Sequence, residues 1–193
     1  MNERADTSPR QGFWTYTRLA LAALAFFLIV IAVSTGLRAP QAPATAKDSL
    51  PPSVLGTELR ALDGPAFRLS DYKDRVVVLD IWATWCGPCR LEIPHLVRLS
   101  EEYGPRGVEV IGLSVEDPAS AGGAVRDFAR EFGINYRLGW AEQRWTNTLT
   151  RGAATIPQTF VIGRGGRRLL HLQGYTPQIS ATLREAIDRA LAE

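Results

Sequence analysis

The chain has 193 residues, of which 46% are apolar and 22% are charged. This composition is typical of a globular protein, and it excludes a disordered, collagen-like or disulfide-dense chain. The 22 basic residues exceed the 20 acidic ones by two, and this excess lies entirely before Lys47. The rest of the chain is neutral and has no basic cluster, which argues against a nucleic-acid partner.

An uncharged stretch of 19 residues lies between Arg18 and Arg38. As a helix it would extend roughly 28 Å, close to the thickness of a hydrocarbon core. We predict a cytoplasmic segment over 1–18 and a transmembrane anchor over 19–37, because the arginines before the stretch favour an inside amino terminus. A cleavable signal peptide is the alternative. Both interpretations place the following domain in an extracytoplasmic, oxidising space.

A Pro- and Ala-rich linker is predicted over 38–52. Residues 53–193 then form one domain of roughly 140 residues, which is the commonest domain size. Within this domain, 57–69 is predicted to form a hairpin around Asp63-Gly64, because Asp-Gly is a favoured two-residue turn.

The next elements alternate between strand and helix. The apolar, β-branched run 76–83 predicts a strand buried on both faces of a sheet. A helix is predicted from the cysteine pair to about Tyr103, with a kink at Pro94. Its expected core stripe is Leu91, Leu96, Leu99 and Tyr103.

A second strand is predicted over 108–115 and a second helix over 121–132, with Gly133 at its C-terminal cap. Near the end of the chain, 158–162 and 168–173 predict an antiparallel hairpin. A final helix is predicted from Thr176 or Ser180 to Leu191. The alternation requires parallel pairing and the hairpin antiparallel pairing, so we predict an α/β fold with a central mixed sheet flanked by helices.

The chain has two cysteines, Cys86 and Cys89, at the junction of the first strand and the first long helix. Unpaired N–H groups and the helix dipole at this position stabilise a thiolate and lower its pKa. Cys86 is therefore the candidate nucleophile and Cys89 the candidate resolving thiol.

Three other interpretations of the cysteine pair stay open. They are half of a zinc site, a structural disulfide, and a peroxidase centre. His95 and His171 lack the spacing of zinc ligands, so we expect no metal. A disulfide across a four-residue loop removes little chain entropy, and neither flank suggests a separate peroxidatic cysteine.

The motif Trp85-Cys86-Gly87-Pro88-Cys89 resembles the active site of the thioredoxin superfamily. Residues 76–94, VVVLDIWATWCGPCRLEIP, are similar to the membrane-anchored TlpA/ResA-like reductases, including the thioredoxins of cytochrome c biogenesis. The resemblance covers nearly all of 53–193, with the leading hairpin, a central insert at about 117–152, and Ile156-Pro157 before a strand. It implies a thioredoxin-like fold with no cofactor other than a redox-active Cys86–Cys89 disulfide.

The resemblance also implies a role for the segment before the predicted hairpin. Pro157 is expected to follow a cis peptide bond and to face the disulfide. Ile156 and Pro157 are expected to offer backbone groups to an extended substrate peptide, because main-chain hydrogen bonds recognise a peptide without requiring its sequence.

Asp80 lies six residues before Cys86 on the buried strand, where a lone carboxylate is costly. Thioredoxin has a buried Asp at the matching position, whereas many TlpA/ResA-like sequences have Asn there. We expect Asp80 to exchange protons with Cys89, because burial raises a carboxyl pKa. A structural, hydrogen-bonded carboxylate is the alternative.

Further positions in the motif complete the expected site. Trp85 is expected to shield one side of the dithiol, and Gly87-Pro88 is the dipeptide of thioredoxin, which is a reductant. Glu92 matches the family pattern after the cysteines. The alternative for Glu92 is a carboxylate that only complements the positive start of the helix.

The sequence therefore predicts a membrane-anchored protein-disulfide reductase whose domain lies in the periplasm or another extracytoplasmic space. The family implies a transmembrane electron donor of the DsbD/CcdA type, because an oxidising compartment cannot itself regenerate a dithiol. It also implies apocytochrome c or a copper-site protein as substrate. The alternatives are a dithiol oxidase or isomerase, and a binding module that holds an unfolded partner or copper through the dithiol.

Overall fold

The computed structural model describes Leu21 and residues 49–193, and the fold below is that of 49–193. The predicted cytoplasmic segment, the predicted anchor or signal and most of the predicted linker lie outside the described residues. Within the described part, no helix is both long enough and apolar enough to span a bilayer.

Five strands form one sheet in the order β3-β2-β1-β4-β5. β1 pairs in parallel with β2, and β2 with β3, whereas β4 is antiparallel to both β1 and β5. The predicted mixed sheet is therefore confirmed. The strands are β1 Val76–Trp82, β2 Val108–Ser114, β3 Arg137–Trp140, β4 Gln158–Gly163 and β5 Arg167–Gln173.

Helices cover both faces of this sheet. They are α1 Pro52–Leu55, α2 Gly87–Tyr103, α3 Pro118–Glu131, α4 Gln143–Thr150 and α5 Ile179–Leu191. Short 3-10 turns occupy Leu69–Tyr72, Gly104–Arg106 and Arg164–Gly166. The three long helices match their predicted positions, and Gly133 has the positive φ of 61° that suits a residue just after a helix.

Two details differ from the sequence prediction. β3 and α4 lie inside the segment that was predicted only as an insert. Leu91 is 59% exposed, and Ile93 takes its place in the core, because the buried face of α2 is rotated away from Leu91. The predicted continuation of α2 through Pro94 to Tyr103 is confirmed.

The predicted hairpin over 57–69 is reduced to one bridge. Leu59 and Phe67 exchange both backbone hydrogen bonds, at 2.7 and 3.0 Å, but the pairing extends no further. Ala61 instead bridges Gly139 on the outer edge of β3. A Cβ atom at Gly139 would lie 2.8 Å from the carbonyl oxygen of Arg60, so the close approach of the two segments requires glycine.

The packed domain begins slightly before its predicted start at residue 53. Ser49 bridges Arg167, and the backbone N–H of Leu50 donates to the carbonyl oxygen of Gly166 at 3.0 Å. The Leu50 side chain is buried in the core. The end of the predicted linker is therefore held against β5, because Leu50 is an apolar residue with a place in the core.

Alternate residues of β1 face different apolar clusters. Val77, Leu79 and Ile81 pack with β2, β4 and α4 on one side of the sheet. Val76 and Val78 pack with α2 and α5 on the other side, where Trp82 packs with α2 and α3. Asp80 lies on this second side, between Val78 and Trp82.

Candidate active site

The two cysteines form a disulfide at the start of α2. Cys86 is the N-terminal cap of the helix, and its Sγ accepts the backbone N–H of Cys89 at 3.2 Å. Cys86 is 4% exposed and Cys89 is fully buried. The first sulfur is therefore the one nearer to solvent, and it lies where helix N–H groups stabilise negative charge.

Thr84, two residues before Cys86, is held on both its donor and its acceptor side. Its backbone N–H and its hydroxyl donate to the Glu116 carboxylate at 2.8 and 2.7 Å. Ser114, at the end of β2, also donates to Glu116, at 3.0 Å. Arg90 of α2 donates to the Thr84 carbonyl oxygen at 3.4 Å. The sequence analysis did not identify Glu116 or Arg90, because no local pattern relates them to the cysteines.

Arg90 also ties the active-site helix to α3. Its guanidinium carbon lies 5.1 Å from the ring centre of Phe128 and 4.8 Å from that of Phe132. Arg90 forms an exposed ion pair with Glu131 at 3.2 Å. The cation–π contacts and the bond to Thr84 together fix the first turn of α2 against its neighbour.

The Ile156–Pro157 peptide bond is cis, as expected. Ile156 packs against the apolar cluster that contains both cysteines. Gln158 braces the loop before this bond, because its side-chain amide donates to the carbonyl oxygens of Ala153 and Thr155 at 2.9 and 2.7 Å. The Gln158 side-chain oxygen in turn lies 2.8 Å from Nε2 of His171.

The surface around Cys86 is apolar. Trp85 is 69% exposed, and Gly87 and Pro88 beside it are also exposed. Trp85 and Leu91 are the large exposed apolar side chains of 49–193. They lie within five residues of Cys86, so exposed apolar area is concentrated next to the disulfide.

Asp80 and Glu92 are both fully buried on the α2 side of the sheet. The hydroxyl of Thr159 donates a hydrogen bond to Glu92, whereas both oxygens of Asp80 lack a hydrogen-bond partner within 49–193. Glu92 follows Cys89 by three residues, so both side chains lie on the inner face of α2.

Burial changes the protonation of both acids. It raises the pKa of Glu92 to about 7, although the Thr159 hydrogen bond opposes this rise. Burial, and then the nearby charge of Glu92, raise the pKa of Asp80 well above its usual range. Both acids therefore bind a proton more tightly than exposed carboxyls do, and the pKa of Glu92 lies near neutral pH.

The histidines lie apart from these groups. His95 contacts Arg98 and Tyr175 on the outer side of α2, and His171 contacts Gln158. Across the described part of the chain, no group of three or more His, Cys, Asp or Glu side chains could hold a metal ion.

A family model described as the AhpC/TSA family matches residues 52–167. Among solved structures, the chain is similar to a thiol:disulfide interchange protein of the thioredoxin family from Chlorobium tepidum TLS. The identity is 26% and the TM-score 0.60, over 70% of this chain and 92% of that chain. A DsbF homologue from Corynebacterium diphtheriae is 26% identical with a TM-score of 0.63, over 80% of this chain and 96% of that chain. The fold is thioredoxin-like, as predicted.

Curated relatives carry the names of thiol-disulfide enzymes. The thiol-disulfide oxidoreductase ResA of Geobacillus thermodenitrificans is 34% identical over 56% of this chain. The match covers 60% of the length of that protein, and the matches to two further ResA relatives cover 63% of theirs, so the chain spans less than two thirds of these relatives. The thiol:disulfide interchange protein HelX of Rhodobacter capsulatus is 33% identical, over 73% of this chain and 82% of HelX.

Proposed function

The chain belongs to the AhpC/TSA family and has a thioredoxin-like fold, and on that basis we propose that it is a thiol:disulfide oxidoreductase that reduces disulfide bonds in partner proteins. One observation carries the proposal. A disulfide lies at the first turn of a helix, with one sulfur near an apolar surface and the other buried on the side of the sheet that carries two acids with raised pKa values. Such a pair can exchange electrons without a further cofactor.

The first step belongs to Cys86 in the reduced protein. Its thiolate attacks one sulfur of a substrate disulfide, and the other substrate sulfur leaves as a thiolate that takes a proton from water. The N–H groups of the first turn of α2, including that of Cys89, stabilise the attacking thiolate. A mixed disulfide between Cys86 and the substrate results.

The second step belongs to Cys89. Its thiol gives a proton to the ionised Asp80, and the Cys89 thiolate then attacks the Cys86 sulfur. The Cys86–Cys89 disulfide re-forms, and the remaining substrate sulfur leaves as a thiolate and is protonated. The substrate has gained two electrons and two protons. Glu92 lies beside Asp80 and sets how readily Asp80 ionises, because two neighbouring carboxylates repel.

The substrate chain is proposed to lie across the apolar surface beside the disulfide. Trp85, Gly87 and Pro88 offer apolar contacts there. Backbone groups of Ile156 offer hydrogen bonds to an extended peptide. Pro157 lies next to them, and its carbonyl oxygen already accepts the backbone N–H of Gly174 at 2.8 Å. Because these contacts require an unfolded segment rather than a particular sequence, the site suits proteins that expose cysteines before they are fully folded.

We also propose the predicted domain organisation and location. Residues 19–37 anchor the chain in a bacterial inner membrane, or are cleaved as a signal peptide, and the domain acts in the periplasm. A transmembrane donor of the DsbD/CcdA type returns electrons to Cys86–Cys89. Apocytochrome c and copper-site proteins are the proposed substrates, since both must have reduced cysteines before they bind haem or metal. No other cofactor is proposed.

A trapping experiment tests this function. In a Cys89→Ser variant of the full chain the mixed disulfide cannot be resolved, so partners should accumulate on Cys86 as complexes that reducing agent releases. A variant with both cysteines changed to Ser is the control, and capture by this variant as well would indicate a non-covalent binding module. The absence of any complex with Cys89→Ser would contradict the exchange mechanism.

The reduction potential separates a reductase from an oxidase. We expect a value near that of thioredoxin, about −270 mV, because the two cysteines enclose the same Gly-Pro dipeptide. A value of about −120 mV, as in strongly oxidising relatives of the fold, would instead assign the oxidase function.

A further inference from the structure

Tyr136 lies just before β3, and its ring lies next to Gly112 of β2, which has no side chain. In the pairing of β1 with β2, Gly112 lies directly beside Asp80. A Cβ atom at Gly112 would lie 3.2 Å from Cε2 of Tyr136 and 3.0 Å from Nε1 of Trp82. The missing side chain at Gly112 therefore leaves room for two rings on the side of the sheet that carries Asp80.

The two rings bring hydrogen-bond donors to the buried acids. The hydroxyl of Tyr136 and Nε1 of Trp82 are buried and lack a hydrogen-bond partner within 49–193. The same is true of both oxygens of Asp80 and of one oxygen of Glu92. Buried polar groups are rarely left unpaired. Two buried donors and three buried acceptors on one side of the sheet are therefore free to pair when a side chain turns towards a charged carboxylate.

No cation is available to this network among the described residues. Trp82 follows Asp80 by two residues on the same side of β1, and Cys89 precedes Glu92 by three residues on the inner face of α2. Thr159 of β4 donates to Glu92, and the charges of both acids raise the pKa of Tyr136. None of the ion pairs within 49–193 includes Asp80 or Glu92. A carboxylate formed here must therefore be stabilised by neutral donors.

The Tyr136 hydroxyl is suited to donate. Burial raises its pKa well above the usual value, and the charges of Asp80 and Glu92 raise it further. The hydroxyl therefore stays protonated through the pH range of thiol exchange, and it lies near enough to both acids to respond to their charge.

We propose that Tyr136 is a positioning residue that stabilises the ionised state of the Asp80–Glu92 pair by donating its hydroxyl hydrogen to whichever carboxylate is charged. This inference rests on the proposed function, because the charge is needed when Cys89 gives up its proton. Tyr136 acts through the acids, by keeping one of them ionised and ready to accept the proton.

The variant Tyr136→Phe tests this role, because it keeps the ring over Gly112 and removes only the donor. The carboxylate loses a hydrogen bond, so the pKa of the acid pair should rise further. The pH dependence of the resolution step should then shift to higher pH by about one unit. Attack by Cys86 should keep its own pH dependence.

The two steps can be observed separately with the reduced full chain and the aromatic disulfide dithiobis(nitrobenzoate). The first release of nitrobenzoate thiolate reports attack by Cys86, and the second reports resolution by Cys89. Tyr103→Phe is the matched control. Tyr103 lies at the end of α2 that is far from the cysteines, and its hydroxyl donates to Asp188 of α5. This control should leave both releases unchanged across the pH range.

A variant with Asp80→Asn and Glu92→Gln shows whether Tyr136 acts through the acids. Tyr136→Phe should add no further shift in this background. The proposal is overturned if Tyr136→Phe matches the unaltered chain at every pH, or if its shift persists without the acids. Failure of the unaltered chain to give a second release would instead contradict the proposed function.

A carbon-13 NMR titration of the two carboxyls in the oxidised chain gives the same answer without exchange chemistry. The carboxyl titration should move to higher pH in Tyr136→Phe, and an unchanged titration would overturn the proposal. Thermal unfolding of the same samples shows that the comparison is made between folded proteins.

Discussion

The two sides of β1 are equally buried but differ in chemistry. On one side, Val77, Leu79 and Ile81 enter a cluster of buried apolar side chains. On the other, Asp80 lies between Val78 and Trp82 and faces Glu92. Burial alone therefore does not distinguish a structural position from a functional one. The distinguishing feature is whether the buried group is paired, and Asp80 is unpaired.

This difference has a thermodynamic counterpart. Burial of the apolar side chains stabilises the fold by about 1.5 to 3 kcal/mol each. Burial of an unpaired carboxyl opposes folding whenever the carboxyl would be ionised in the unfolded chain. β1 therefore stabilises the fold through its apolar side chains and destabilises it through Asp80, the acid that the proposed reaction needs.

The largest expected effect is on the apolar side. Leu79→Ala removes a fully buried side chain and leaves a cavity, so the free energy of unfolding should fall by about 2 to 5 kcal/mol. Urea denaturation at several pH values measures this change, which should be the same at each. A loss that varies with pH would show that the two sides of β1 are not independent.

Glu92→Gln tests the acid side. The native pKa of Glu92, about 7, lies above the ordinary value of 4.5, so the native state binds the proton more tightly than the unfolded chain does. The free energy of unfolding therefore falls as the pH rises through this window, by about 3 kcal/mol at most.

Near pH 4.5, the Glu92→Gln variant should have the same free energy of unfolding as the unaltered chain. Above pH 7, its free energy of unfolding should be higher. Urea denaturation of the oxidised chain at the two ends measures the difference. An equal difference at both ends would mean that Glu92 does not titrate during unfolding.

A smaller effect is expected at the edge of the acid side, where β2 ends. Glu116→Ala removes the acceptor for both donors of Thr84 and should cost about 1 to 2 kcal/mol. Because the loop also holds Cys86, the rate of attack on dithiobis(nitrobenzoate) should fall as well. Arg126→Ala, which breaks an exposed ion pair with Asp63, is the control and should change neither quantity measurably.

Long elements with a continuous pattern were predictable from the sequence. β1 is an apolar run that is interrupted only at Asp80, and α2 begins at the cysteine motif. β3 was missed because it has four residues, and its strand conformation depends on pairing with β2 on one edge and 60–62 on the other. α4 was missed because its stability comes from Trp145 and Leu149, which pack on the sheet.

The site was predictable only where its residues are close in sequence. The cysteines, Asp80 and Pro157 follow from a motif, although their proposed roles are still predictions. The burial of Glu92 had a signal, since it is three residues from Cys89 and four from Leu96, on one helical face. Glu116 and Tyr136 had none, because their contacts with the β1–α2 region depend on the register of β2.

The bridge between Ala61 and Gly139 has a consequence for how this domain meets other chains. The backbone N–H of Leu62 donates to Leu138, and that of Trp140 donates to Arg60, so the outer edge of β3 is already paired. An open strand edge is a template on which unfolded chains aggregate. A protein proposed to handle unfolded, cysteine-bearing clients would be at particular risk from such an edge. By pairing with this edge, 60–62 removes β3 as a template on which an unfolded chain could add a strand.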